Sequence, residues 1–259
     1  MKNSSYKVLL AAVGLTAILY GPASAQENVV VGLDASNPPF ASVGAGGKLQ
    51  GFDVDLVNAI CAVEKLKCEL RNIPWDGIFA ALDSGKLNVV AAGLNITEER
   101  QKKYAMPGPY LNSPFAYIVT ASSTLDGTNE GLSGKTVGTV AASAIEKYLN
   151  AKKIPGVNVS TYDSWDAAVL DLDSGRLDAV LGELVSLQVA YINAKPGAYK
   201  IVGEPISDPT YSGRGKGLAI RKDDKTLSST FDKGLAAIIA DGTHAQLTKK
   251  WFGAEMPAK

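Results

Sequence analysis

In NITEERQ, residues 95–101, Thr97 stands where it can cap a helix. That puts Arg100 at the third helical position, beside the end of an apolar strand. A guanidinium held there can take a carboxylate through two parallel hydrogen bonds. Glu183 closes a second apolar strand, and Ser143 and Ala144 open a helix, SAIEKYL, just after the strand TVGTV. The free N–H groups of a helix start attract an anion without needing particular side chains, and Ser143 serves equally as an ordinary N-cap. An exposed arginine and a solvated glutamate are the plain alternatives for Arg100 and Glu183. The one histidine, His244, lies in THAQLTKKWF and reads as a surface residue; its isolation removes Ser-His-Asp and Cys-His schemes and most metal sites. GAGGK at residues 44–48 has no Ser or Thr after its lysine, so it reads as a surface hairpin and not a phosphate loop. GRGKG at residues 213–217 lacks the wider basic field that nucleic acid would need.

These residues need a frame, and the chain writes that frame twice. WDGIFAALDSGKLNVV, residues 75–90, returns as WDAAVLDLDSGRLDAV, residues 165–180, with eight of sixteen positions identical. Trp75, Ile78, Phe79 and Leu82 fall at i, i+3, i+4 and i+7, and Trp165, Ala168, Val169 and Leu172 repeat the pattern, so each copy reads as an amphipathic helix. Gly85 and Gly175 sit where a C-cap wants positive φ, with Lys86 and Arg176 near the negative end of the helix dipole and an apolar strand to follow. Strands at residues 29–33, 69–73 and 88–92 alternate with helices from Asp53 and Trp75; a second series has strands at residues 136–140, 157–162 and 179–181. The alternation predicts an α/β chain of two similar lobes, each an open sheet with helices on its faces. Ligands of such sheets bind beyond the carboxyl ends of the strands, which places Gly93 and Glu183 on a common cleft.

Residues 1–25 stand apart. Lys2 and Lys7 precede an apolar run, VLLAAVGLTAILY, and small residues follow in PASA. This is the pattern of a signal peptide cleaved after Ala25, with an uncleaved anchor as the alternative. The run is shorter than the about 20 residues that span a bilayer, and no cysteine stands at the cleavage point to take a lipid. Without Lys2 and Lys7, 24 basic residues face 26 acidic ones, a formal charge of −2 that argues against nucleic acid or an anionic membrane as partner. The remaining length suits two lobes of about 100 residues each. Cys61 and Cys68 lie in the exported part, so they read as a disulfide, or else as two buried thiols. Two cysteines and one distant histidine make no zinc site; neither a metal nor a cofactor is expected.

GFDVDLVNAIC, residues 51–61, sets acids and aliphatics alternately after a glycine and runs into an apolar helix. With PPF at 38–40, NITEERQ at 95–101, GKTVGTV at 134–140, SGRLDAV at 174–180 and DGTHAQLTKKWF at 241–252, the chain resembles the extracellular solute-binding proteins of polar amino-acid ABC importers. The resemblance covers essentially the whole mature chain. The Cys61/Cys68 spacing looks like the branch that binds histidine, lysine, arginine, ornithine and opines, where it carries a disulfide. The resemblance implies the type II periplasmic-binding-protein fold. Lobe 1 would comprise residues 26–112 and 207–259 and lobe 2 residues 113–206, joined by two hinge strands and closing around a ligand. It implies a periplasmic location, an inner-membrane ABC permease as partner, a monomer and no enzymatic reaction.

By the same resemblance Arg100 holds the ligand's carboxylate, the helix start at Ser143 and Ala144 meets it from the other lobe, and Glu183 stands where the family carries an aspartate for the ligand's ammonium. Asp34, Asn37, Phe40 and Trp75 are candidates for the ligand's side chain. Asp34 suits a distant cation; Trp75 covers an aliphatic stem, faces a cation or simply packs in the core. Asn37 replaces an aromatic residue and Asn95 a Ser or Thr, changes that enlarge or repolarise the pocket. The expected ligand is a polar, preferentially basic amino acid or a derivative such as an opine. Two rivals share the fold: a cyclohexadienyl-type dehydratase, whose acid would stand at Ser186, and a ligand-loaded sensor docking on a receptor.

Overall fold

The computed structural model describes residues 28–152 and 154–258. The expected signal peptide and its cleavage point lie outside the described residues. The chain opens with β1 (Asn28–Leu33), a small ribbon of β2 (Ser36–Asn37), β3 (Ala41–Val43) and β4 (Leu49–Gln50), then α1 (Phe52–Val63), β5 (Lys67–Asn72), α2 (Trp75–Asp83), β6 (Val89–Asn95), α3 (Glu98–Lys103) and β7 (Tyr104–Ala105). It crosses to β8 (Phe115–Thr120), α4 (Asn129–Leu132), β9 (Thr136–Val140), α5 (Ala144–Lys152), β10 (Asn158–Tyr162), α6 (Trp165–Asp173), β11 (Ala179–Glu183), α7 (Leu184–Leu187) and β12 (Tyr199–Ile206). It then returns through β13 (Lys216–Arg221), α8 (Lys225–Ala240) and α9 (Thr243–Phe252).

Two five-stranded sheets result, ordered β5-β1-β6-β13-β7 and β10-β9-β11-β8-β12. In each, the first three strands are parallel and the fourth is antiparallel. That fourth strand is the one by which the chain enters after crossing from the other sheet. The crossing segments support each other: Leu111 bridges Lys216, and Phe115 pairs with Ile206.

The repeated sequence builds the same corner in both lobes. Gly85 and Gly175 take φ of 75° and 74° after their helices. Leu87 and Leu177 then pack on glycines of the central strands, so close that a Cβ on Gly32 or Gly138 would lie 2.4 or 2.3 Å from a leucine methyl. Asn88 accepts the Val30 N–H and Asp178 accepts the Thr136 N–H, both at 2.8 Å, so the near-match of Asn with Asp preserves one hydrogen bond. Cys61, at the end of α1, is bonded to Cys68 in β5, with Cα atoms 6.2 Å apart. GAGGK forms the turn between β3 and β4.

One expectation about the terminal helix is wrong. His244 is not on the surface: it is buried, its Nε2 2.5 Å from the Tyr110 carbonyl oxygen and its ring edge-on to Phe52. The crossing segment leaves that carbonyl facing α9, and a ring nitrogen satisfies it where water cannot reach. Burial pushes the His244 imidazole below its ordinary range.

Candidate functional site

Arg100, Glu183, Asp34, Asn37, Trp75, Gly93, Asn95, Ser143 and Ala144 all line one cavity between the carboxyl ends of the two sheets. The cavity is tight, about 50 Å³ in free volume. Asp34, Ser36, Trp75 and Asp163 also line a wider recess of about 460 Å³, which adds Asp76 and Asn72 to its walls. The lobes touch around the cavity: Trp75 Nε1 donates to the Ala141 carbonyl at 3.0 Å, Asn95 Nδ2 to Glu183 Oε1 at 2.9 Å, and Lys147 pairs with Glu99 at 2.5 Å.

Arg100 owes its place to a cap and two rings. Thr97 Oγ1 accepts the Arg100 N–H at 3.3 Å, so α3 starts where β6 ends. The guanidinium carbon lies 5.6 Å from the Trp75 ring and 5.5 Å from the Phe79 ring, and Nη1 donates to the Asn95 carbonyl at 3.2 Å. Burial lowers its pKa to about 10, opposed by Glu183, so it is a cation at neutral pH with donors to spare. On the other lobe Ser143 caps α5: its Oγ accepts the Glu146 N–H at 3.1 Å, and the Glu146 carboxylate accepts the Ala142 N–H at 2.7 Å. This reciprocal cap starts α5 at the cavity, which Ser143 and Ala144 line together with Arg100.

Asp34 follows β1 and accepts the Ser36 N–H at 3.0 Å and the Ser36 hydroxyl at 2.8 Å. Asn37 donates to the Ala92 carbonyl at 3.4 Å, leaving its buried Oδ1 without a partner. Gly93 sits inside β6, two residues before its end, at φ +60°, where the pairing with β13 shifts register. That turn hands its N–H to Asp53 Oδ2 at 2.7 Å. Asp53 is fully buried; burial pushes it up to about 6, against the Gly93 N–H, Tyr110 and Lys216, which all pull the other way. The Tyr110 hydroxyl acts on Asp53 from nearby without closing a hydrogen bond of normal geometry, so the geometry leaves both Asp53 Oδ1 and that hydroxyl open.

Two expected roles change. Phe40 does not line the cavity; it is fully buried beneath Gly93, against Phe52 and Phe252 in the lobe core, because the ribbon folds it inward. Asn95 does line the cavity, but its amide is committed within the protein, Nδ2 to Glu183 and Oδ1 to the Lys216 ammonium at 2.7 Å.

Three participants escaped the sequence. In the sequence Lys216 stands out only as part of GRGKG, yet it has no exposed surface and its ammonium is 2.5 Å from Glu183 Oε1. Burial lowers its pKa, partly offset by Glu183. Asp53 is marked in the sequence only as part of GFDVDLVNAIC. Trp165 lines the cavity at the start of α6, and the repeat carried the signal, since it occupies the position of Trp75.

The pattern of the bacterial extracellular solute-binding proteins, family 3, matches residues 29–254. The chain belongs to that family. Among family members, the L-arginine-binding protein of Pseudomonas aeruginosa is 33% identical over 246 residues, covering 94% of this chain and 95% of its own. The lysine/arginine/ornithine-binding periplasmic protein of Escherichia coli is 32% identical over 242 residues, 93% of each chain. A solved ancestral arginine-binding protein bound to arginine is similar with a TM-score of 0.79 and 37% identity, over 87% of this chain and 98% of its own.

Proposed function

We propose that the chain is the periplasmic substrate-binding protein of an ABC importer, which captures a polar amino acid, preferentially a basic one, or an amino-acid derivative and delivers it to an inner-membrane permease. The observation that carries this reading is the two-sided anion site, with the Arg100 guanidinium on one lobe and the N-terminus of α5 on the other lining a single cavity. A carboxylate between them would join the lobes. Outward of it, Asp34, Asp76 and Asp163 line the wider recess, a setting for a cationic tail passing Trp75. The arginine- and lysine-binding relatives support the same ligand class.

In this reading lobe 1 comprises residues 26–112 and 207–259, lobe 2 comprises residues 113–206, and the two crossings act as the hinge. The protein works as a monomer and performs no covalent step. Ser186, buried within lobe 2's short helix α7, has no carboxyl proton to give a leaving hydroxyl. The test is a thermal-shift screen of refolded, ligand-free protein against the common L-amino acids, ornithine, citrulline and opines. A ligand at about 100 times its dissociation constant adds about 2.7 kcal/mol of stability. No shift with any of them refutes the reading.

A further inference from the structure

Glu183 and Lys216 form a closed pair in the wall of the cleft. The Lys216 ammonium lies 2.5 Å from Glu183 Oε1 and 2.7 Å from Asn95 Oδ1, and Asn95 Nδ2 donates to the same Oε1 at 2.9 Å. Lys216 is fully buried behind the wall, whereas Glu183 lines the cavity. One oxygen of Glu183 is left over. Among the described residues Oε2 is buried without a hydrogen-bond partner, and so is Oδ1 of Asn37 on the same cavity. Buried acceptors in that condition favour a ligand that brings donors.

The pair changes what kind of donor is required. A bare buried carboxylate needs a cation beside it. Glu183 already has one in Lys216, and the two opposite charges sum to none. A donor on Oε2 faces the Lys216 ammonium across the carboxylate. Positive charge there is attracted by Glu183 at hydrogen-bond distance and repelled by Lys216 from the far side, so the pair offers a charged donor less than a lone carboxylate would. A hydrogen bond from a neutral N–H or O–H escapes that opposition. Arg100 and Asp53 also act on Lys216, with opposite signs, and both act more weakly than Glu183.

We propose that Lys216 is the built-in counter-ion of Glu183, and that the head-group subsite takes a carboxylate bearing one N–H or O–H donor at its α position, with no requirement that this donor be charged. α-Hydroxy acids and N-substituted amino acids then fit as well as free α-amino acids do. The inference rests on the proposed function, in which Arg100 and α5 hold the carboxylate. Lys216 is a specificity-determining residue that acts through Glu183.

The experiment is isothermal titration of ligand-free protein with L-arginine, L-lysine and L-histidine and with the α-hydroxy analogue of each. For any pair that binds, the wild-type affinities should agree within about tenfold. In Lys216→Met, where Glu183 loses its counter-ion, preference for the amino acid should rise at least about tenfold. A wild-type preference for the amino acid above about 100-fold overturns the inference and leaves the proposed function standing. An unchanged ratio in a folded Lys216→Met protein also overturns it, and the wild-type ratio decides even where the variant does not fold. Binding of none of the six compounds overturns the inference, whereas the proposed function falls only if the wider panel of amino acids and opines also fails.

Discussion

Replacing Lys216 with methionine tests the buried pair through stability alone, with no ligand present. The substitution keeps the aliphatic bulk and deletes an ammonium that has no exposed surface and two short hydrogen bonds. Glu183, itself 7% exposed, is left with the single amide of Asn95 on Oε1 and nothing on Oε2. Stranding one member of a buried ion pair costs about 3–5 kcal/mol. For a chain of this size each kcal/mol moves the melting temperature by about 2–4 °C, so a fall of about 6–20 °C is expected. Adding Glu183→Gln removes the stranded charge, and the new amide can donate to the Asn95 oxygen that Lys216 vacated. The double variant should therefore recover at least about half of the loss, about 2 kcal/mol relative to Lys216→Met. Urea unfolding at pH 7, followed by tryptophan fluorescence and circular dichroism, measures wild type, both single variants and the double variant. A Lys216→Met protein within about 1 kcal/mol of wild type, or a double variant as unstable as the two single changes summed, refutes the reasoning.

Three further outcomes are expected. Arg100→Met should weaken carboxylate ligands by about 2–5 kcal/mol, roughly 30- to 5,000-fold by titration calorimetry, and change stability by no more than about 2 kcal/mol; full affinity would show that the carboxylate is held elsewhere. Asp53, pushed up to about 6 from an ordinary 3.8, lends stability that is fully present below 3.8 and lost as pH rises through 6. Relative to Asp53→Asn, wild type should therefore gain about 2.4 kcal/mol between pH 7 and pH 4 in urea unfolding, and a flat difference rejects the buried carboxyl; His244, present in both proteins, cancels. Gly93→Ala forces a side chain to φ +60° with its Cβ 2.9 Å from the Phe40 ring, which should cost about 1–3 kcal/mol in the same assay, whereas a neutral result would show that β6 relaxes there.

Local features of the chain were legible because local physics sets them. The period of Trp75, Ile78, Phe79 and Leu82 reports one apolar face, and its return at Trp165 reports a second lobe. Thr97 and Ser143 start helices because their hydroxyls reach N–H groups three residues on, which places Arg100 and Ala144 at those helix starts. The apolar strands end at Asn95 and Glu183, so residues there fall at the sheet ends facing the cleft.

What only the tertiary structure decided is which polar groups are buried together. Lys216 reaches Asn95 across 121 residues, His244 reaches Tyr110 across 134, and Asp53 takes the Gly93 N–H across 40. No periodicity or cap marks these pairs, and composition would place a lysine or a lone histidine at the surface. Burying such a group is tolerable only where another part of the chain supplies its partner, and that supply exists only once both sheets and the two crossings are in place. The sequence by itself therefore determined the two lobes, the helix starts and the cleft between them. The packing of distant segments determined that Glu183 already has a cation, that Phe40 lies beneath the cavity floor, and that His244 is interior.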